Sequence, residues 1–407
     1  FTVASHTYFL KTIEILKKFF MKRKSINLHA LHNERCLHYR LIVLAISGIL
    51  MLSCQEKKPF HVVKQDNPVY FPDTIFKSYE DLSSPKFNAL KIKYQLDTIF
   101  HGETDELKRI LLLRNWIKSV IKIDDIGPYP GDGSAESILD EALKGHGFHC
   151  GHYMVVQNAV MNAYGYVTRC LGAGPGIAGG PDGHHGINEI WLNNYHKWFL
   201  SDAKYDIHFE KNARLPDEQG IPLSALEIRD EYLKNKAALI SIVKGPGKIP
   251  QTSEDLKKSK EATSQTYSWI EWNRDNNKYT NWPIDSSMMI MYDDEYSGTH
   301  TWIWDGKPHW AYNTPHMQLV ADRKAIEWTP NTITSAVLIK ENKAGIKLNS
   351  NTPNLKTYQM KETPGGNWKD VSDSLEVLLN KAKNEMVFRT VNTEGVTGAE
   401  HKIIIEQ

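Results

Sequence analysis

Apolar residues first recur at helical spacing over residues 105–120, where Leu113, Trp116, Ile117 and Val120 fall on one face. A loop of turn formers, Ile126-Gly-Pro-Tyr-Pro-Gly-Asp-Gly-Ser134, leads into a second helix over 134–143, which Gly145 stops. A third helical run begins near Cys150, and its stretch from Val155 to Ala163 is small and apolar enough to be buried. The period then changes to that of strands at 166–171, 187–192 and 197–200, with another near 206–209. Helices followed by antiparallel strands predict an α+β core. Beyond it come a charged helix over 225–238 and a Lys/Glu/Ser-rich connector over 244–264. Short apolar runs with turn signals between them, at 336–339, 345–348, 357–360, 386–389 and 402–405, predict a C-terminal β-sandwich.

The amino-terminal segment has a different character. The chain opens on Phe1, and a more natural start is Met21, followed by Lys22-Arg-Lys24. Further basic residues precede the 13-residue apolar run from Leu41 to Ser53, which is too short for a comfortable membrane span and suits a signal-peptide core. The run ends at Leu52-Ser53-Cys54 and turns polar at once, a junction that resembles a bacterial lipobox. That resemblance implies cleavage before Cys54 and lipidation of its thiol, with Met51 replacing the usual leucine three positions earlier. The expectation is an exported lipoprotein anchored at the periplasmic face or cell surface.

Removing residues 1–53 takes away eight Lys/Arg and two Asp/Glu, leaving 41 basic and 46 acidic residues, about −5 net. No concentrated basic surface remains to hold a phosphate backbone, so nucleic acid is disfavoured as a partner. Of the four cysteines, Cys150 and Cys170 remain in the folded part. Cys170, in the apolar run Tyr166-Val-Thr-Arg-Cys-Leu171, reads as a core thiol, and a disulfide between the two would silence Cys150 as a nucleophile.

The chemistry gathers around Cys150, in Gly145-His-Gly-Phe-His-Cys-Gly-His-Tyr153. A thiol at a helix start faces unpaired N–H groups and the positive end of the dipole, which favour thiolate and can receive an oxyanion. His185 opens a strand, and Asp202 follows Trp198 on the next one, where an antiparallel neighbour brings carboxylate to imidazole. Nucleophile, base and orienter are thus available in order. His184 competes with His185, and the register to Glu189 favours the latter; Asp206 competes with Asp202 and reads as a surface or turn residue.

Gly147-Phe-His-Cys-Gly151, His185-Gly-Ile-Asn-Glu-Ile190 and Trp198-Phe-Leu-Ser-Asp202 together resemble the transglutaminase-like superfamily, over roughly residues 100–210. One extra residue separates glycine from cysteine, and Gly186 and Ile187 stand where the family often has Ala and an aromatic. The resemblance implies a papain/transglutaminase-like core with Cys150 as nucleophile, His185 as base and Asp202 as orienter. It also implies acyl transfer or hydrolysis at an amide bond of a peptide, glycopeptide or cell-surface polymer.

Substrate contacts are expected from His149, His152, Tyr153 and His184. Seven of the eleven tryptophans fall within 269–328, and the alternation in His300-Thr-Trp-Ile-Trp304 puts Trp302 and Trp304 on one strand face, either in the core or as sugar-stacking platforms. The glycine-rich loop from Gly172 to Gly183 is read as a lid, a substrate platform or a plain connector.

The chain therefore divides into a leader (1–54), a tether and lead-in (55–98), the catalytic core (99–215), a Trp-rich extension packing on the core (216–330) and an Ig-like sandwich (331–407). No cofactor is required. The histidines around Cys150 offer a metal-binding alternative, but without paired ligands on one helix face. Two further readings stay open: a polysaccharide lyase or glycosidase using the histidines and Tyr153 for proton transfer, and a non-catalytic surface lipoprotein that binds glycan or protein.

Overall fold

A computed structural model describes residues 58–67, 73–76, 79–125, 131–174, 184–211, 220–246, 263–282, 288–296, 303–304, 307–308, 317–363 and 365–407. The chain divides into two units, Phe1–Pro59 and Phe60–Gln407. The second carries everything that follows.

Its first layer is helical. Helix α1 (Pro85–Lys93) and a 3-10 turn (Leu96–Phe100) precede α2 (Glu106–Val120), α3 (Ala135–Leu143) and α4 (Cys150–Asn162). Asp105 and Ser134 cap α2 and α3 by accepting the N–H of Lys108 and Ser137, so both helices start one residue inside the expected runs. Ile110, Leu113 and Ile117 of α2, Ile138 and Leu139 of α3, and Val156, Ala159 and Val160 of α4 are all buried in one cluster. Each large aliphatic side chain there contributes on the order of 1.5–3 kcal/mol by leaving water.

The helices cover one face of a six-stranded sheet. In chain order its strands are β1 (Thr168–Gly174), β2 (His185–Leu192), β3 (Lys197–Ser201), β4 (Trp269–Asn273), β5 (Met289–Tyr292) and β6 (Met317–Val320). The spatial order is β6-β5-β4-β1-β2-β3, antiparallel except for the β5–β6 pair. Alternation sorts the side chains: Ile190, Leu192 and Phe199 face the helices, while Ile187, Trp191, Trp198 and Leu200 face a second apolar cluster. That cluster is closed by helix α5 (Ala225–Asn235), by Phe209 and by Trp328. The Trp-rich stretch therefore supplies three strands to the core sheet itself, and Trp269, Trp272 and Trp328 are buried.

From Ile333 the chain forms two antiparallel sheets around a third apolar cluster. One has three strands, Ile333–Lys340, Lys343–Ser350 and Ser374–Leu378; the other has five and includes His61–Gln65 paired with His401–Glu406. The expected lead-in is thus tied into the far end of the chain. Nothing local to His61–Gln65 announces a partner more than 300 residues away.

Candidate active site

Cys150 is the first residue of α4, and His149 is its cap. The His149 backbone is extended, and its Nδ1 accepts the Gly151 N–H at 3.0 Å, the job usually done by Ser, Thr, Asp or Asn. A Cβ on Gly151 would lie 3.0 Å from that ring, so glycine makes room for the imidazole cap. The His152 N–H goes to the His149 carbonyl at 3.1 Å. The Cys150 N–H has no acceptor within its own helix, as expected at the first helical position.

His185 is the first residue of β2 and pairs with Ala173. Its Nε2 lies 2.6 Å from Asp202 Oδ2, which leaves Nδ1 for the thiol. Asp202 is fully buried just after β3, where its backbone exchanges two hydrogen bonds with Ile207, at 3.0 and 3.1 Å. Two more donors reach its carboxylate: the Tyr267 hydroxyl at 3.0 Å on Oδ2 and the Tyr205 N–H at 3.2 Å on Oδ1. Burial alone would raise the Asp202 pKa, but the charge and hydrogen bond of His185 outweigh it, and the carboxyl sits below its ordinary range.

The same competition sets the thiol and the imidazole. Burial pushes Cys150 up, yet hydrogen bonds from His149 and His185, the His185 charge and the Gly186 N–H together bring it down to about 5. Burial pushes His185 down, and Asp202 with the Cys150 sulfur more than reverses it, so the imidazole is held charged. The resting pair is thiolate and imidazolium. On the outer side the half-exposed Tyr205 ring lies 5.4 Å from the His185 ring, and the Lys204 ammonium sits 5.4 Å from Tyr205 while pairing with Asp125 at 2.7 Å.

The glycine after the histidine has a steric reason. A Cβ at Gly186 would meet Gly151 Cα at 3.2 Å and its N at 3.3 Å, so β2 can approach the start of α4 this closely only without a side chain. Glu189 is a buried strut of the sheet: it accepts two of the three Arg169 nitrogens at 2.9 and 2.7 Å, the Trp272 indole at 2.8 Å and the Ala225 N–H at 2.7 Å.

The other expected site residues are placed differently from one another. His152 backs the cap, with its ring 4.1 Å from that of His149, and burial keeps it neutral down to about 4. His184 stands 3.8 Å from Glu271. Tyr153, expected as a substrate contact, is instead buried in the helical core, and its hydroxyl donates to the Ile121 carbonyl at 2.6 Å. Asp206 is in a turn, as expected, but buried rather than at the surface; it pairs with the buried Arg114 at 2.8 Å and accepts from Asn115 at 2.7 Å. Cys170 is a free, buried thiol, pushed up to about 11 by burial. Among the described residues no group of three or more His, Cys, Asp or Glu converges as metal ligands. Cys54, Trp302, the side chain of Trp304 and residues 175–183 of the glycine-rich loop lie outside the described residues.

Sequence reasoning did not single out Tyr267 or Glu271. Tyr267 comes 65 residues after Asp202, beyond the charged connector, and carries no local signal of the contact.

Residues 94–203 match the model of the transglutaminase-like superfamily and form a transglutaminase-like domain, little more than a quarter of the chain. No curated protein matches the chain. Among solved structures, a chain from Cytophaga hutchinsonii provisionally described as a cysteine protease is 16% identical, over 40% of this chain and 49% of that one, with a TM-score of 0.24. The match thus spans about half of that chain's length.

Proposed function

We propose that this protein is a cysteine-nucleophile enzyme that transfers or hydrolyses an acyl group at an amide bond of a peptide, glycopeptide or cell-surface polymer. The observation that carries the reading is the Cys150 thiol brought down to about 5 beside an imidazole whose far nitrogen is held 2.6 Å from a buried carboxylate. The Cys150 thiolate attacks the carbonyl carbon, and the carbonyl electron pair moves to oxygen beside the Cys150 N–H. As the C–N bond breaks, the His185 Nδ1 proton passes to the leaving amine, giving a thioester and neutral imidazole. Water or an acceptor amine then attacks the thioester while His185 takes its proton, and sulfur leaves as thiolate. Asp202 holds the ring and stays ionised throughout.

An elimination reading would assign proton transfer to the histidines and Tyr153, and the hydroxyl bond to Ile121 gives the tyrosine part of it no support. The decisive experiment is a screen of peptides, glycopeptides and uronic-acid polysaccharides with wild type beside Cys150→Ala. Turnover that survives the substitution refutes the thiolate mechanism. Failure of Cys150 to react preferentially with iodoacetamide at neutral pH, together with calorimetric glycan binding, would instead assign a binding role.

Export and a lipid anchor at Cys54 belong to the same proposal, supported by the apolar run that ends there. Loss of labelled fatty acid and of membrane association in Cys54→Ser is the expected result. The two carboxy-terminal sheets and their shared core support an Ig-like sandwich acting as spacer or binding module.

A further inference from the structure

The thiol lies at one side of a lane floored by two glycines, and a buried carboxylate lies at the other. Gly172 of β1 is the register partner of both Gly186 on β2 and Glu271 on β4. A Cβ at Gly186 would touch the start of α4, 3.6 Å from the Cys150 carbonyl carbon. A Cβ at Gly172 would lie 2.8 Å from Glu271 Oε1 and 2.9 Å from His184 Nε2. Cross-strand partners project to the same face with Cβ positions about 4.5–5.5 Å apart, so the Glu271 carboxylate is within about 12 Å of the Cys150 backbone. An extended chain covers that distance in two to four residues at about 3.3–3.6 Å each. With glycine at both floor positions, neither floor residue puts a side chain of its own between the two ends.

Glu271 is built as half of an interaction. It is only 6% exposed, and its Oε2 makes no hydrogen bond. Its Oε1 has the His184 imidazole at 3.8 Å, an ion-pair distance beyond hydrogen-bond range. In the same sheet and at the end of its edge strand, buried carboxylates are fully engaged: Glu189 accepts four donors and Asp202 three. A carboxylate only accepts, so what completes Glu271 is a group rich in N–H and positively charged.

We propose that Glu271, beside His184, is the subsite for a primary ammonium on the substrate, two to four residues along the chain from the scissile carbonyl. The substrate class is then a short peptide or peptide-bearing polymer with a free amine, either terminal or on a side chain, in preference to one whose amine is acylated. This rests on Cys150 being the nucleophile, and the test separates the two ideas.

Two iodoacetamide probes of matched length serve, one ending in a 4-aminobutyl ammonium and the other in its N-acetylated twin. In wild type at low ionic strength the cationic probe is expected to alkylate Cys150 at least ten-fold faster than the twin. Glu271→Gln, which keeps the shape, should bring that ratio near one and leave the rate with the acetylated probe within two-fold. Glu271→Asp should retain part of the preference. A wild-type ratio below about two, or a ratio that persists in Glu271→Gln, overturns the subsite. The acetylated probe reports the thiol alone: if it shows no preference for Cys150 over the other thiols, the nucleophile reading fails whatever the ratio shows.

Discussion

Replacing His185 by alanine should move the titration of Cys150 much further than it changes its reactivity at any one pH. In wild type the thiol is brought to about 5, so about 99% is thiolate at pH 7. The substitution removes the His185 hydrogen bond and charge, while burial, the largest influence and an upward one, remains to offset the His149 hydrogen bond and the Gly186 N–H. The midpoint should therefore return to about 8.5 or above, leaving a few per cent thiolate or less at pH 7, a drop of roughly 30-fold. A more basic thiolate is also a better nucleophile. With a Brønsted coefficient of about 0.4–0.5, a shift of about 3.5 units raises intrinsic reactivity roughly 25- to 60-fold. The two effects nearly cancel at pH 7, so a single rate there would mislead. The informative assay is the rate of exchange with 2,2′-dipyridyl disulfide from pH 3 to 10, with Cys150→Ser as the blank for other thiols. Wild type should level off above about pH 5, and His185→Ala should keep climbing about ten-fold per pH unit until it levels off near pH 8.5, crossing wild type near pH 7. At pH 5.5 wild type should be roughly 20-fold faster. A wild-type midpoint near 8.5, or one that His185→Ala leaves in place, refutes the thiolate–imidazolium pair.

Four other outcomes follow from the same geometry. Tyr267→Phe removes one of the donors to the buried Asp202 carboxylate and should cost about 1.5–3 kcal/mol at pH 7 by urea unfolding; a loss under about 0.5 kcal/mol would show that the bond contributes little. Gly186→Ala forces a Cβ to within 3.2 Å of Gly151 Cα and should cost about 1–3 kcal/mol. It should also raise the Cys150 midpoint, because the Gly186 N–H is among the groups that lower it. Asp206→Ala strands the buried Arg114 guanidinium and should cost about 3–5 kcal/mol; a small change would mean that water or a neighbouring acid compensates. His401, buried in the carboxy-terminal sheets, is held neutral down to about 4 by burial, against about 6.5 when unfolded. The folded state then binds fewer protons between those values, so its contribution is full above pH 6.5 and is lost as pH falls toward 4, by up to about 3 kcal/mol. His401→Gln should flatten that part of the pH–stability curve in urea titrations at pH 7 and 4.5.

What could be read locally was read from short-range rules. The caps Asp105 and Ser134 each precede a run that sends most of its apolar positions into one cluster, and the helices begin where those caps allow. Each of the five carboxy-terminal runs from 336–339 to 402–405 lies inside an observed strand, because alternation and turn residues act over a few positions. The choice of His185 over His184 was likewise a register question, and period-two geometry sends the two side chains to different places: one to Asp202, the other toward Glu271. Tyr153 shows the limit of such reasoning. Cys150 and Tyr153 are three positions apart and share a side of α4, but the Ile121 carbonyl takes the tyrosine hydroxyl, and closeness in sequence does not show that neighbour.

By itself, then, the sequence determined which residues could do the chemistry and which local element each would occupy: a cysteine at a helix start, a histidine opening a strand, an aspartate closing the next. The tertiary structure alone decided how strongly those groups act on one another. Asp202 is held by a tyrosine 65 residues away, β4 brings Glu271 beside the glycine pair, and His61–Gln65 finds its partner at the other end of the chain. Hydrophobic periodicity reports which face of an element is buried, but it carries no record of which distant element covers that face. Shifted titrations arise from burial and from charges a few ångströms away, and those neighbours exist only once the sheet has assembled.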